Sequence, residues 1–248
     1  MKVSIITVCF NSSKTLEKTF QSVTNQSYRN VEYIVVDGGS SDNTLNIIEK
    51  YSGCITNYIS EPDKGLYDAL NKGIAIATGD IIGVLNSDDF FVDNFVLENI
   101  AKFHIKNSID ASVGNITQFN NDDKVIRKYS AQSWSPNKLK LGFMPPHPAI
   151  FFKRDLFENY GNYRLDFISG ADYELIIRFF LRKKITWKYS GITTTAMLIG
   201  GISSSGYNSY KLISREIKKA LELNNIKFSY FIVLLRVIWK LNGFLKNK

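Results

Sequence analysis

Apolar and polar positions along the first ninety residues separate short buried strands from amphipathic helices. Val3 to Phe10 is a near-continuous apolar run, and Lys14 to about Asn25 follows at helical spacing. Ser12 or Ser13 stands where a helix cap is needed. Val31 to Val36 is a second strand, ending in Asp37-Gly38-Gly39-Ser40-Ser41-Asp42, and Thr44 to Tyr51 reads as a second helix. Ile55 to Ser60 is a short third strand before the loop Glu61-Pro62-Asp63-Lys64-Gly65. Leu66, Leu70, Ile74 and Ala77 then recur at helical spacing, and Gly79 is expected to stop that helix as a residue that tolerates positive φ. Asp80 opens the run Ile81-Ile82-Gly83-Val84-Leu85, which suits a strand buried on both faces of a parallel sheet. Strands alternating with helices predict βαβ units and a parallel sheet.

After Phe91 the pattern loosens. Asn94 to Lys106 reads as a helix, Ala111 to Phe119 as a strand, and Val125 to Tyr129 as its partner through the turn Asn120-Asn121-Asp122-Asp123. Ser133 to Pro148 is turn-rich and holds four of the five prolines. Ala149 to Lys153 reads as a strand and Arg154 to Tyr160 as a helical segment. Ala171 to Lys183 is a strong helix with Leu175, Ile176, Phe179 and Phe180 on its apolar face. Tyr207 to Leu223 and Phe228 to Leu241 are also helical in period.

With 248 residues, the chain suits one large α/β domain or a domain plus an appendage. Two distant cysteines, Cys9 and Cys54, form no C-x-x-C pair and suggest a reducing compartment without a disulfide framework. The apolar start is short and has no small-residue cleavage site, so it reads as a first strand rather than a signal peptide. The formal charge of +8 suggests an anionic partner: nucleic acid, acidic lipid or a phosphorylated substrate.

The candidate chemistry lies at the strand ends, which are polar, glycine-rich or acidic. Ligands of open α/β sheets bind at the carboxyl edge, and Asn86-Ser87-Asp88-Asp89 places two carboxyls there. Oxygen ligands of this kind suit Mg²⁺ or Mn²⁺, which in turn hold the phosphates of a nucleotide. The same residues also form an N-cap signature.

Thr7-Val8-Cys9-Phe10-Asn11, Val35-Val36-Asp37-Gly38-Gly39-Ser40-Ser41-Asp42, Asn86-Ser87-Asp88-Asp89 and Ser169-Gly170-Ala171-Asp172-Tyr173-Glu174 occur in this order. The series resembles the family 2 glycosyltransferases of the GT-A fold, from about Val3 to Ser205. The resemblance implies an α/β fold with a mostly parallel twisted sheet and flanking helices. It divides the chain into a glycosyltransferase domain, 1–205, and a helical segment, 206–248.

It also implies residue roles. Thr7 and Asp37 would bind the nucleoside; a turn-forming Asx residue is the other reading of Asp37. Asp68 and Lys72 would face the donor, or form a solvated i,i+4 pair. The family's D-x-D motif stands here as Asn86-Ser87-Asp88 with Asp89 next. Its first carboxylate is thus an amide, and Asp88 keeps the role of metal ligand, for Mn²⁺ or Mg²⁺. By the resemblance, Asp172 would be the general base of an inverting transfer from a nucleotide sugar, UDP-linked, to a glycan or lipid-linked acceptor. Asp172 would also serve as a helix N-cap. Arg178 would orient an acid or a phosphate. His147 falls on the family's acceptor side, and Gly200-Gly201 in a loop near the diphosphate.

Ile226 to Leu241 is the most apolar helical stretch, yet Arg236 and Lys240 interrupt it and it is too short to span a bilayer. Its basic and aromatic residues suit a helix lying on an anionic membrane surface, and a core or homodimer helix is the other reading. The expected location is cytoplasmic, at the inner face of the cell membrane. A nucleotidyltransferase would need a Gly-rich basic loop after the first strand, and a dinucleotide enzyme G-x-G-x-x-G; no glycine precedes Gly38. A non-catalytic nucleotide-binding or membrane-surface scaffold is the alternative from a different class. The acidic strand ends argue against a nucleic-acid binder.

Overall fold

The computed structural model describes residues 1–120, 124–198 and 206–227. The expected apolar helix from Phe228 onward and the Gly200-Gly201 loop lie outside them. Four strands run parallel in the order β3 (Asn57–Ser60), β2 (Val31–Asp37), β1 (Val3–Cys9), β4 (Ile81–Val84). Beyond β4 the sheet becomes mixed. β8 (Ile150–Lys153) lies antiparallel between β4 and β6 (Ala111–Phe119), and β9 (Trp187–Leu198) runs parallel to β6. β5 (Phe90–Phe91) pairs antiparallel with β9, and β7 (Val125–Tyr129) with β6.

The alternation of side chains along β1 explains why helices cover both faces. Val3, Ile5 and Cys9 pack with Tyr33, Val35 and Ile81 under α1 (Leu16–Thr24), α2 (Thr44–Lys50) and α4 (Val96–Asn107). Ile6 and Val8 point the other way, with Ile34, Val36 and Ile82, under α3 (Leu66–Ile76). That second face also receives α5 (Asp155–Tyr160), α6 (Ala171–Ile177) and α7 (Gly206–Leu223). Leu16, Phe20, Ile34 and Leu70 are fully buried, and each such side chain contributes about 1.5–3 kcal/mol relative to exposure. Ile217, Ala220 and Leu221 of α7 belong to the same core as Ile6 and Val36. The first part of the 206–248 segment is therefore built into the domain.

Three local expectations are corrected. Neither Ser12 nor Ser13 caps α1; Thr15 is the capping position without a side-chain bond, and the Ser12 carbonyl accepts from the Thr15 and Leu16 N–H groups. Gly79 is not a left-handed helix stop, since α3 already ends at Ile76 with Ala77 extended. Gly79 is needed instead for close approach: a Cβ there would lie 2.5 Å from the Ser4 hydroxyl and 2.7 Å from its nitrogen. Strand β9 has no counterpart in the apolar periodicity, because only three of its twelve residues are buried. The helix from Ala171 does run on to Arg182, but its last five residues form a π turn, a local widening of the helical ladder.

At the amino edge, Glu32 ties β2 to two neighbouring segments. Its buried carboxylate accepts from the Ser4 hydroxyl at 2.5 Å, from Lys2 at 2.8 Å and from both the N–H and hydroxyl of Thr78. Burial alone would raise its pKa; the bonds from Lys2, Ser4 and Thr78 together override burial and lower it to about 2. A depressed carboxylate stabilises the fold above its unfolded pKa and loses that contribution as pH falls through the folded value. Glu32→Gln is expected to cost about 3 kcal/mol at pH 7 and much less near pH 2. Urea midpoints of both proteins at pH 7, 5 and 3 check this; a gap that does not narrow with acidification refutes it.

Candidate active site

The carboxyl ends of β1, β2 and β4 meet, and short polar links between their loops hold them in place. Asn11, just past β1, adopts a left-handed conformation (φ 49°) and its side-chain oxygen accepts from the Ser41 N–H at 2.9 Å and the Asp42 N–H at 3.3 Å. Its own N–H donates to the Ser40 hydroxyl. Ser12 is 2.8 Å from Ser87, joining the β1 loop to the Asn86–Asp89 loop. Gly38 lets Asp63 come close, since a Cβ there would sit 2.3 Å from the Asp63 carboxylate.

The residues expected around the nucleoside occupy different settings. The Thr7 side chain is fully buried and lies 3.0 Å from the Tyr33 hydroxyl. Asp37 is fully buried as well, and both oxygens are engaged. One accepts from the Ser40 hydroxyl, the other from the Gly39 N–H at 3.1 Å and the Ser60 hydroxyl at 2.8 Å. This is the Asx-turn arrangement, which shapes the loop. Asp68 and Lys72 are 3.8 Å apart on α3 and mostly shielded. Lys72 binds Glu61 more closely, at 2.8 Å, so the pair belongs to a network with the Glu61–Gly65 loop. Asp68 accepts from the Lys64 N–H in the same loop.

Asp88 and Asp89 emerge between β4 and β5. The carbonyl of Asp89 accepts from Thr19 on α1 at 2.7 Å, and Phe90 and Phe91 are fixed by their pairing with Ala196 and Thr195 on β9. Asp89 is 1% exposed, and its Oδ1 has no hydrogen-bond partner among the described residues. Asn86 reaches its Oδ2 only at 3.4 Å. Burial raises the pKa of both carboxyls, and the neighbouring Asp88 charge raises Asp89 further. An orphaned buried oxygen beside a second carboxyl fits a hard divalent cation. Among the described residues no group of three or more acidic, His or Cys side chains forms a complete metal site. Two carboxyls with open positions are what a cation shared with substrate phosphates requires.

Asp172 stands on the other side chain cluster of the edge, at the start of α6. Gly170, not Asp172, holds the capping position of that helix, although the Asp172 carboxylate accepts from one of its first-turn N–H groups. Its Oδ1 accepts from the Tyr173 N–H at 2.7 Å and from the Tyr67 hydroxyl at 3.3 Å. Tyr67 belongs to the first turn of α3, which starts at the carboxyl edge just beyond β3, and so ties Asp172 to that edge. Tyr67 stacks on Tyr163, whose hydroxyl lies 2.7 Å from His147 Nε2. Burial raises the Asp172 pKa, with His147 opposing it. Burial lowers that of His147, against the Asp172 charge. Tyr67 and Tyr163 had no signal in the sequence, since Tyr67 on α3 reads as core and Tyr163 lies in the loop after α5. Arg178 and Glu174 pair at 2.9 Å, and Arg178 also donates to the carbonyls of Tyr160, Gly161 and Asn162. The acid that Arg178 orients is thus a structural one.

The glycosyl transferase family 2 model matches residues 4–165, the span that builds all of the edge except Asp172. The chain belongs to this family. An uncharacterized glycosyltransferase of Mycobacterium tuberculosis (strain CDC 1551 / Oshkosh) is 38% identical over 183 residues, covering 71% of this chain and 68% of the relative. The UDP-Glc:alpha-D-GlcNAc-diphosphoundecaprenol beta-1,3-glucosyltransferase WfgD of Escherichia coli is 35% identical over 138 residues, 55% of this chain and 54% of WfgD. Among solved structures, S. aureus TarS 1-349 in complex with UDP-GlcNAc superposes with a TM-score of 0.69 at 20% identity. The match covers 87% of this chain and 66% of that one, so this chain spans just under two thirds of the TarS fragment. The mannosyltransferase PcManGT from Pyrobaculum calidifontis, in complex with GDP-Man and Mn²⁺, gives 0.62 at 15% identity, covering 98% and 80%. The fold is that of the GT-A glycosyltransferases, and the family makes the chain a glycosyltransferase. No helix among the described residues is long and apolar enough to cross a membrane.

The Tyr67 bond favours the ionised form of Asp172, so removing it removes a term that lowers the pKa. In Tyr67→Phe the ring stacking stays and the Asp172 pKa is expected to rise. Carboxyl ¹³C NMR titration, assigned with Asp172→Asn, checks the direction; an unchanged or lower value contradicts the bond.

Proposed function

We propose that this glycosyltransferase moves a sugar from a UDP-linked donor to a hydroxyl of a glycan or lipid-linked saccharide, with inversion at the anomeric carbon. The observation that carries this reading is Asp172, a half-buried carboxylate held by Tyr67 at the edge where Asp88 and Asp89 emerge. TarS binds UDP-GlcNAc, and the WfgD name gives a UDP-sugar donor and a diphosphoundecaprenol-linked acceptor. Both support the same classes of substrate here.

The acceptor oxygen attacks the anomeric carbon as the bond to the diphosphate breaks, and the hydroxyl proton passes to Asp172. Both described bonds of that carboxylate fall on Oδ1, which leaves Oδ2 for the proton. Its raised pKa, caused by burial, makes the group a stronger base. The nucleoside diphosphate carries away the charge of the broken bond. Asp88 and Asp89 would hold Mn²⁺ or Mg²⁺, an ion that when bound neutralises a diphosphate leaving group. Asn86, an amide where the family has an acid, lowers the charge of that set.

Two substitutions separate these roles. Asp88→Ala is expected to abolish metal-dependent UDP binding by calorimetry without unfolding the protein. Asp172→Asn is expected to bind UDP normally and lose about 10²–10⁴-fold in turnover, the usual contribution of a general base. Near-parental turnover in Asp172→Asn would place the base elsewhere, and unchanged calorimetry in Asp88→Ala would remove Asp88 from the metal set.

The tail from Phe228 onward supports association with an anionic membrane surface, through its aromatic residues with Arg236, Lys240, Lys246 and Lys248. Truncation after Lys227 keeps the Ile226 packing contact and is expected to weaken co-sedimentation with anionic vesicles. Unfolding or loss of a dimer on truncation would make the tail a structural element instead.

A further inference from the structure

Helix α7 lies beyond the matched family span, and one of its side chains reaches the loop that delivers Asp172. Glu216 is buried, and its carboxylate accepts two consecutive backbone bonds: Ile168 N–H at 2.6 Å and Ser169 N–H at 3.0 Å. Two N–H groups on one carboxylate define the direction of the chain as well as its position. The next residue, Gly170, is the cap of α6, and Asp172 follows two residues later.

Gly170 also faces Glu216. A Cβ at Gly170 would stand 3.1 Å from Glu216 Cβ and 3.1 Å from its Oε2, closer than ordinary contact. Its φ of −117° is one that any residue adopts, so the glycine answers a need for space and not for conformation. Around this contact α7 makes two more. Lys219, one turn on, donates to the Asp166 carbonyl and pairs with its carboxylate at 2.8 Å. Asn224, just past the end of α7, donates to Glu174 inside α6 at 3.1 Å. The segment 166–174 is thus held from one side by a single helix, on both sides of Asp172.

We propose that Glu216 is a positioning residue for the transfer reaction, acting through the 168–170 backbone to set the location of the Asp172 carboxylate. Glu216 touches no substrate. It fixes where the α6 N-terminus begins, and that decides how Asp172 approaches the acceptor hydroxyl. Displacing a catalytic group by about 1 Å can cost roughly 10²-fold in rate. The inference rests on Asp172 being the base.

Glu216→Gln tests it, because an amide keeps one acceptor oxygen and turns an N–H₂ toward the other backbone donor. The expected result is a fall in kcat of about tenfold or more, with donor KM, UDP affinity and melting temperature close to parental. Gly170→Ala probes the same contact from the other side. Its loss of kcat is expected to shrink in the Glu216→Ala background, where the crowded side chain is gone. A merely structural Glu216 predicts a lowered melting temperature with parental kcat per folded molecule, and that result overturns the proposal. Additive effects of Gly170→Ala and Glu216→Ala on kcat overturn it too. Asp172→Asn assayed in parallel keeps the two ideas apart. If it still turns over, the base assignment fails and this inference falls with it. If it is inactive while Glu216→Gln keeps parental kcat, only the role of Glu216 falls.

Discussion

The burial of Asp89 beside Asp88 is the constraint around which the carboxyl edge is arranged. A carboxyl group taken out of water without a full set of donors is costly, by several kcal/mol when ionised. A chain at liberty to relax would turn it outward. Here it has no such liberty. Thr19 holds the Asp89 carbonyl, β4 fixes the chain before it, and the pairing of Phe90 and Phe91 with β9 fixes the chain after it. The acid pair is kept in place by bonds that do not involve its carboxyl groups. That is the arrangement expected where a site is pre-formed for a positively charged ligand, with the fold supplying the rigidity.

Strand β4 is where the two halves of the sheet meet. On one side it runs parallel to β1, on the other antiparallel to β8. The reversal leaves the end of β4 with a parallel neighbour on one flank only. The acidic loop opens into that gap, beside the loops of β1 and β2. Ser12, Asn11 and Ser40 link those loops through side chains rather than through a ladder. The polar residues at the strand ends therefore divide into two kinds. Asp37, Asn11 and Ser40 shape backbone, whereas Asp88, Asp89 and Asp172 have oxygen atoms without a hydrogen-bond partner among the described residues.

That division marks the limit of what was legible in the chain. The parallel half was visible because its strands are buried on both faces and alternate with amphipathic helices, as Val31 to Lys50 illustrates. β9 was not, because Trp187, Tyr189 and Thr193 are only half-covered and its partners lie far away in the chain, Ala111 facing Trp187 and Phe90 facing Ala196. Two-residue β5 has no pattern of its own and exists only because β9 is there. The acid at Asp88 was legible from its place after an apolar run. The surroundings of Asp172 were not, since Tyr67 lies 105 residues from it in sequence and nothing local announces the contact. Ser12 illustrates the reverse error: a residue with good capping chemistry was drawn to Ser87 by the tertiary structure.

Asn71 has a bearing on how this fold can be recombined. Its side-chain amide donates to the Tyr163 carbonyl at 2.8 Å and accepts from the Tyr163 N–H at 3.0 Å, as a neighbouring β-strand residue would. One side chain of α3 thereby completes the backbone of a segment far along the chain. A chimera that joins the first ninety residues of one family member to the remainder of another would need an amide at this position facing a backbone of matching path. An aspartate or leucine there would leave a peptide group unpaired at the seam, however well the two halves folded on their own. The junction for domain exchange is set by this amide pairing, and by the helix α7 contacts, rather than by the loops that look most permissive in the sequence.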